Sequence, residues 1–502
     1  MMNQKRQAFN PFLPINTYIP DGEPHVFGDR VYLFGSHDKE AGEMYCMLDY
    51  EVWSAPITDL TDWSCKGTSF SASQDPLSKE TNRKYIYAPD CVKGNDGRYY
   101  LYYCLSGDDG KGCYFGPIGV AVCDIPDGKY EFYGYVQFPD GTPCKRFVPF
   151  DPAVINDDGV IRLYYGTCYP FDELPAISRP IMQKMESGMF GKTVKEIQEE
   201  EGGVMGAITC VLCDDMLTIK EGPKRILSTK TKGTPFESKT HIFKKEGHGL
   251  AGHGFYEGSS IRKINGRYYF IYSSVNNHEL CYATSDYPDR DFEYGGVIVS
   301  NGDVGYQGRK ECDRLNHTGT THGSIEKING EWYVFYHRQT HGTDYSRQAC
   351  AEKIQILPDG TIPQVEITSC GLNGGDLQGK GEYPAGICCN LTNGKMPHGG
   401  NGNFKKIPMI ASGNEERYLT HLTKNTMVAY KYFDLSDTKS ISIKMRGKGV
   451  LTVCTKGKTS CVIQVDSQNW SIFSEELTGE KHSDITFKIQ KGKLEILSFE
   501  LL

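Results

Sequence analysis

The chain has 502 residues, a formal net charge of -8 (55 Lys+Arg against 63 Asp+Glu), 38% hydrophobic and 12% aromatic residues. This is about three times a typical domain of ~150 residues, which predicts two domains and at most three. The balance of apolar and charged residues excludes a largely disordered or collagen-like chain, and a mildly acidic chain without a long basic run excludes nucleic acid as partner. The 56 glycines, 32 tyrosines and 23 phenylalanines point to an all-β chain of strands and turns. No stretch approaches the ~18–20 apolar residues of a membrane span. The N-terminus MMNQKRQAFNPFLP (1–14) has basic residues but no apolar core behind them. It does not read as a secretory signal, so a cytoplasmic protein with no membrane partner is expected. Of the 18 cysteines only Cys210 and Cys213 form a CxxC. Without a second pair this is no structural zinc site, and buried free thiols are expected rather than a disulfide framework.

In chain order, one pattern recurs five times, a Gly-containing turn followed by aromatic and β-branched residues: FGDRVYLFGSHD (27–38), NDGRYYLYYCLS (95–106), DDGVIRLYYGTC (157–168), INGRYYFIYSS (264–274) and INGEWYVFYHRQ (328–339). Each predicts a hairpin, because Asp-Gly and Asn-Gly turns adopt positive φ. Five sheet units in sequence predict a five-bladed β-propeller, whose radial repetition protects strand edges; five hairpins of a sandwich are the alternative. The longest gap between the turn glycines contains PIMQKMESGMFGKTVKEIQEEEGG (180–203). A helical insert is predicted at about 175–205, with the length of a lid or of a contact in a homo-oligomer.

An ionisable residue stands upstream of every turn glycine: Asp21 before Gly28, Asp90 before Gly97, Asp151 before Gly159, Glu257 before Gly266 and His322 before Gly330, seven to nine residues away. Singly, each reads as a cap, a turn residue or a packed histidine. In phase with five hairpins, they predict four carboxylates and an imidazole converging on one mouth of the ring. Carboxylates in a cleft lined by aromatic residues suit glycosidic bond hydrolysis, with one protonated as acid and one ionised as base. A third acid nearby raises the pKa of the first.

The segments NPFLP, PDGEPHVFGDRVYLFGSHD, YAPD, FDPAVINDDG, FYEGSSIRKINGRYYFIYSS and THGSIEKINGEWYVFYHR together resemble glycoside hydrolase family 43, from about residue 10 to 370. The resemblance implies a five-bladed propeller that hydrolyses β-xylosides, α-L-arabinofuranosides or arabinans with inversion. By position, Asp21 matches the general base, Asp151 the residue that tunes and orients the acid, Glu257 the general acid and His322 an axial histidine near a structural calcium, usually through water. Asp90 and Arg338 match sugar-contacting positions. No cofactor is implied for the chemistry. The family's base is usually followed by Pro, whereas Gly22 stands here, so Glu23 and Asp29 are rival bases. His37, Asp38, Phe150, Asn316, His317 and Thr321 are expected to shape the pocket, and Trp53, Tyr87 and Tyr256 are candidate stacking surfaces for sugar. The expected partner is an oligosaccharide, cleaved from its end as by a β-xylosidase or α-L-arabinofuranosidase. An endo-arabinanase and a non-catalytic sugar-binding propeller are the alternatives.

The propeller domain is expected to span 1–372, a Gly-rich linker 373–386, and a β-sandwich (jelly-roll-like) 387–502. In the last, short alternating strands recur without an acid pair. That segment resembles a family 6 carbohydrate-binding module, with Trp470 and Tyr418 as candidate sugar platforms; a sandwich that only packs on the propeller is the alternative.

Overall fold

The structure is a computed structural model and describes residues 6–107, 116–145, 149–167, 184, 187, 193–195, 206–227, 253–399, 404, 406–413 and 416–502. Most of the predicted insert at 175–205 lies outside the described residues. Blade 1 comprises β1 (Glu23–Phe27), β2 (Arg30–Phe34), β3 (Tyr50–Pro56) and β4 (Ser64–Phe70). Blade 2 comprises β5 (Ile86–Lys93), β6 (Tyr99–Leu105), β7 (Gly119–Cys123) and β8 (Glu131–Tyr135). Blade 3 comprises β9 (Ala153–Asp157), β10 (Val160–Tyr165), β11 (Ala207–Leu212) and β12 (Ile219–Leu227). Blade 4 comprises β13 (Phe255–Ile264), β14 (Arg267–Ser274), β15 (Glu279–Ser285) and β16 (Glu293–Ser300). Blade 5 comprises β17 (Ser324–Ile328), β18 (Glu331–Gln339) and β19 (Arg347–Ile354).

The first two strands of each blade are the five predicted hairpins. The turn glycines Gly28, Gly97, Gly159, Gly266 and Gly330 all have φ between +66° and +93°, the conformation for which glycine is suited. The first strands touch around the ring, β1 with β5 and β17, β9 with β5 and β13, β13 with β17.

The aromatic richness of the chain is used between blades. In β6, Leu101 and Tyr103 pack toward blade 1 while Tyr100 and Tyr102 pack toward blade 3, the two-residue alternation of a strand buried on both faces. Five such layers close the circle. The one between blades 5 and 1 also takes Ala8, Phe12 and Leu13. There the N-terminal segment lies along β19: Phe12 N donates to Ala349 O (3.2 Å), and buried Asn10 donates from Nδ2 to Ala351 O (2.8 Å) and accepts at Oδ1 from Ala351 N (3.0 Å). No pair of described cysteines is joined by a disulfide.

The C-terminal domain comprises β20 (Leu377–Gln378), β21 (Gly381–Pro384), β22 (Asn390–Thr392), β23 (Met409–Gly413), β24 (Glu416–Thr423), β25 (Met427–Asp434), β26 (Ser440–Thr455), β27 (Lys458–Glu476) and β28 (Ser483–Leu501), folded around one apolar core that includes Leu419, Phe433, Ile443, Phe487 and Phe499. The linker expectation is corrected here. The predicted linker 373–386 holds β20, paired with β25, and β21, paired with β28; buried Tyr383 packs on Phe433 and Phe499. The glycines of RGKG (446–449) do not end a strand. A Cβ on Gly447 would lie 2.3 Å from Lys493 O, and one on Gly492 would lie 2.0 Å from Lys448 O. These glycines let two long strands bend past each other, so β26 and β28 run on without a break.

Candidate active site

Asp21 sits at the entrance of β1 with φ +58°, a left-handed backbone that Asp tolerates better than most residues. Its N–H donates to His337 Nδ1 (3.1 Å), and His337 Nε2 lies 2.7 Å from Thr320 O. These contacts select the Nε2–H tautomer, and burial together with the Arg347 charge presses the His337 pKa down to about 3, leaving a neutral imidazole. Arg347 Nη1 donates to Asp21 Oδ1 at 2.8 Å. Asp38 fixes that guanidinium from behind, accepting from Nε (2.8 Å) and Nη2 (3.0 Å) and from the Arg347 backbone N–H (3.1 Å). Burial is the largest influence on Asp21 and raises its pKa, but the Arg347 charge together with neighbouring His337, His322 and the Ser36 hydroxyl outweighs it and holds the carboxyl below its ordinary value. Asp21 is therefore ionised at neutral pH.

Glu257 lies at a bulge in β13, where the register with β14 shifts on either side of it. Gly258 has φ +73°, and a Cβ there would lie 3.0 Å from the His322 ring; the bulge re-aims the Glu257 side chain. The Gly258 N–H donates to Asp151 Oδ2 at 3.1 Å, tying Asp151, itself buried at φ +47°, to the residue after Glu257. Burial and repulsion from Asp21 push Glu257 up to about 8, partly offset by Arg347. Burial, then Glu257, then Asp21, raise Asp151 well above its ordinary value. The negative charge thus concentrates on Asp21, and the other two acids hold protons at neutral pH.

Hairpin register explains which residues meet. Counted back from the last paired residue of the first strand, Asp21 lies six before Phe27, Asp151 six before Asp157 and His322 six before Ile328. Glu257 lies seven before Ile264, and the bulge absorbs the extra residue. Asp90 lies only three before Lys93, about 10 Å deeper at ~3.3 Å per residue.

Asp90 is accordingly not a sugar ligand in this geometry. It is fully buried; His25 Nε2 is 2.6 Å from Oδ1, the Cys91 N–H donates to Oδ1 (2.7 Å) and the Val154 N–H to Oδ2 (2.7 Å). The rival bases are separated as well. Asp29 is on the exposed hairpin turn. Glu23 lies one side-chain step deeper than Asp21 on the channel face of β1, where Oε2 accepts from Ser260 Oγ (3.1 Å) and Arg262 Nη2 (3.2 Å). Burial and Asp90 raise its pKa to about 8.

His322 Nε2 stands 3.8 Å from Glu23 Oε1 and Nδ1 stands 4.0 Å from Asp151 Oδ2. Neither ring nitrogen, nor Glu23 Oε1, makes a direct hydrogen bond among the described residues. Buried atoms without a direct partner call for water or an ion between them, and Glu23 Oε1 is an oxygen donor suited to a hard cation. These residues fit a calcium held largely through water.

This geometry coincides with what comparison finds. The family model for glycosyl hydrolases family 43 matches residues 10–224. A xylosidase/arabinosidase of Thermoclostridium stercorarium is 42% identical over 492 residues, 94% of either chain. This chain belongs to glycosyl hydrolase family 43. The xylosidase/arabinosidase 43A of Humicola insolens is 31% identical, covering 69% of this chain and 96% of its own. Among solved structures, the GH43_1 enzyme from Xanthomonas citri complexed with xylose is 25% identical with a TM-score of 0.51, over 72% of this chain and 93% of that one. A family 43 β-xylosidase/α-arabinofuranosidase from a compost metagenome, in complex with xylotriose and calcium-free, is 26% identical with a TM-score of 0.51, over 72% and 98%. The chain is thus a glycoside hydrolase.

The remaining expected residues of this family 43 chain are placed as follows. His37 is half-buried at the base of the loop between β2 and β3, its Nδ1 2.9 Å from Asp49 O. Phe150 is buried edge-on against Tyr87 (5.8 Å), and Tyr256 is half-buried beside Glu257. Asn316 faces the sandwich, donating to Cys389 O (3.1 Å) and accepting from Leu391 N (2.9 Å). Arg338 is not brought to the acids. Its neighbour His337 faces Asp21, and strand alternation turns Arg338 the other way, where Nη1 donates to Cys388 O (3.1 Å) and Cys389 O (2.6 Å). The arginine of the site is Arg347, which sequence reading missed together with His337. Strand alternation from His337, and the register of β18 with β19 that pairs Gln339 with Arg347, are the signals that locate them. In the sandwich, the Arg446 guanidinium lies 4.2 Å from the Trp470 ring centroid and 5.2 Å from that of Tyr418, so neither ring is a bare sugar platform.

Proposed function

We propose that this chain is an inverting, exo-acting hydrolase that releases terminal xylose or arabinofuranose from short oligosaccharides. The observation that carries this reading is the split between two acids of one ring: Asp21 ionised on Arg347, Glu257 protonated with its pKa near 8. Asp21 takes a proton from a water, the water oxygen bonds to the anomeric carbon, the glycosidic bond breaks, and Glu257 gives its proton to the departing oxygen. Asp151, tied to Gly258, orients Glu257, and the Asp21 charge favours its protonated form. Inversion requires the two catalytic carboxyls to stand ~6.5–9.5 Å apart to admit that water. Relatives named xylosidase/arabinosidase support the pentose substrate and action at chain ends. A calcium near His322 and Glu23 would hold the channel floor and take no part in bond breaking.

The test is a panel of nitrophenyl glycosides and xylan- or arabinan-derived oligomers, with product anomers followed by NMR. Release of the single terminal pentose, first seen as the inverted anomer, and its loss in Asp21→Asn, are expected. Retention would exclude the base role; binding without turnover would make the protein a sugar-binding propeller; mid-chain cleavage of arabinan would make it an endo-arabinanase.

A further inference from the structure

Two propeller loops meet at the Arg347–Asp21 pair, and both rest on the C-terminal sandwich. The first, residues 35–49 between β2 and β3, carries Asp38. Two residues beyond Asp38, Glu40 reaches the sandwich. Arg417 Nη2 donates to its Oε2 at 2.7 Å, Arg417 Nε lies 2.6 Å from Oε1, and the Ser412 hydroxyl donates to Oε1. Tyr18 links this contact to the site: its hydroxyl donates to Glu40 Oε1 (3.1 Å) and its carbonyl accepts from the Asp38 N–H (2.9 Å).

The second loop, residues 340–346 between β18 and β19, leads into Arg347. The His341 ring contacts the Tyr18 hydroxyl (3.0 Å) and the Ser412 hydroxyl (3.1 Å). Thr340 O accepts from Ile410 N (3.0 Å) and Gly342 O from Phe404 N (2.9 Å). Gly342 has φ +59°, and a Cβ there would stand 2.4 Å from Met409 Sδ, so the loop backbone lies directly on the sandwich.

We propose that the C-terminal sandwich is a positioning element of the hydrolytic centre: through Arg417 and Ser412 on Glu40 it sets the loop whose Asp38 holds Arg347 against Asp21. This rests on the base role given to Asp21 above. An ion pair that merely glues two domains together would have no reason to share Tyr18 with Asp38. Of the charged and titratable groups facing Asp21, Arg347 and His337 come from blade 5 and His322 from the head of β17. Glu257 and Asp151 face it from blades 4 and 3, Asp38 and Cys46 from loop 35–49, and Tyr50 from β3. Loosening Glu40 displaces Asp38 and with it Arg347, whose guanidinium donates to Asp21.

The test is kcat and KM for nitrophenyl xyloside or arabinofuranoside, in the full chain, with Arg417→Ala, Arg417→Lys, Glu40→Gln and Glu40→Ala/Arg417→Ala, each checked by thermal melting. Arg417→Ala is expected to lose about tenfold or more in kcat/KM, because small misplacements of positioning groups are costly. The loss should fall on kcat with KM little changed, since the carboxylate and not the sugar pocket is displaced. Arg417→Lys should recover most of it, Glu40→Gln should lower kcat in the same way, and the double variant should fall no lower than the worse single. An unchanged kcat in Glu40→Gln and Arg417→Ala, with Asp21→Asn inactive, overturns this inference alone. An active Asp21→Asn overturns the catalytic reading beneath it. Should Arg417→Ala not fold, Glu40→Gln decides, since it keeps the side chain's shape and removes only its charge.

Discussion

Replacing Glu257 by Gln keeps the side chain's size and removes its transferable proton. With a pKa near 8, Glu257 is about 99% protonated at pH 6, whereas a carboxyl at the ordinary ~4.3 would be about 2% protonated. Burial and repulsion from Asp21 thus raise the proton-bearing fraction about 50-fold. A positioned general acid contributes ~10²–10⁴-fold where the leaving group needs the proton. Glu257→Gln is therefore expected to lower kcat/KM on xylobiose by ~10²–10⁴, and on a dinitrophenyl xyloside, whose phenolate leaves unaided, by less than ~10. The alkaline limb near pH 8 should disappear on xylobiose. The assay is kcat/KM for both substrates from pH 4 to 9. Equal losses on both, or an alkaline limb that persists, would refute the acid role.

Arg347→Lys keeps a charge but loses the fork that grips Asp38 and Asp21, so the acidic limb of kcat/KM should move up by about one pH unit; an unchanged limb would show that Arg347 does not set Asp21. Arg338→Met strands the Cys388 carbonyl, while Cys389 O keeps Asn316 as donor, and should cost about 1–3 kcal/mol in denaturant unfolding, while KM stays unchanged; a raised KM would return Arg338 to the sugar pocket. Stability should depend on pH in both directions. Asp21, depressed in the fold, contributes stability present above its unfolded pKa and lost as pH falls through its folded value. Glu23 and Glu257, raised to about 8, contribute stability that is full below their unfolded pKa of ~4.3 and lost as pH rises to 8. The melting temperature should fall between pH 5 and 8, and fall less in Glu257→Gln.

Much of this site was legible in the sequence because each hairpin carries its own ruler. A turn glycine and an acid a few residues upstream are covalently in phase, so Asp21, Asp151, Glu257 and His322 could be aligned without the fold. Asp90 failed that reading for a measurable reason. Its hairpin turn, residues 94–98, is longer than the two-residue turn of blade 1, so counting from the glycine overstates its height on the strand. Arg338 failed on parity, since one residue along a strand reverses the face. The linker failed because Gly-rich segments and bent strands share a composition, and only the partner strand distinguishes them. Arg347 was illegible in principle: its place depends on how β19 pairs with β18 across loop 340–346, and on loop 35–49 arriving from the other end of the chain.

That contrast bears on how the site obtains distinct roles from a repeated architecture. Blades 1, 3 and 4 bring acids to one depth of the ring, and burial alone would push all three pKa values upward together, leaving an acid but no base. The repeat supplies position and no chemical asymmetry. Asymmetry enters where a guanidinium oriented by Asp38 donates to Asp21, with His337, His322 and Ser36 lowering that carboxyl further. Once Asp21 is ionised there, its charge in turn raises Glu257 and Asp151, so one placement separates an ionised carboxyl from two protonated ones. The residues that set this asymmetry are thus Asp38 in loop 35–49 and Arg347 at the head of β19, where the loops that rest on the sandwich close blade 5 onto blade 1.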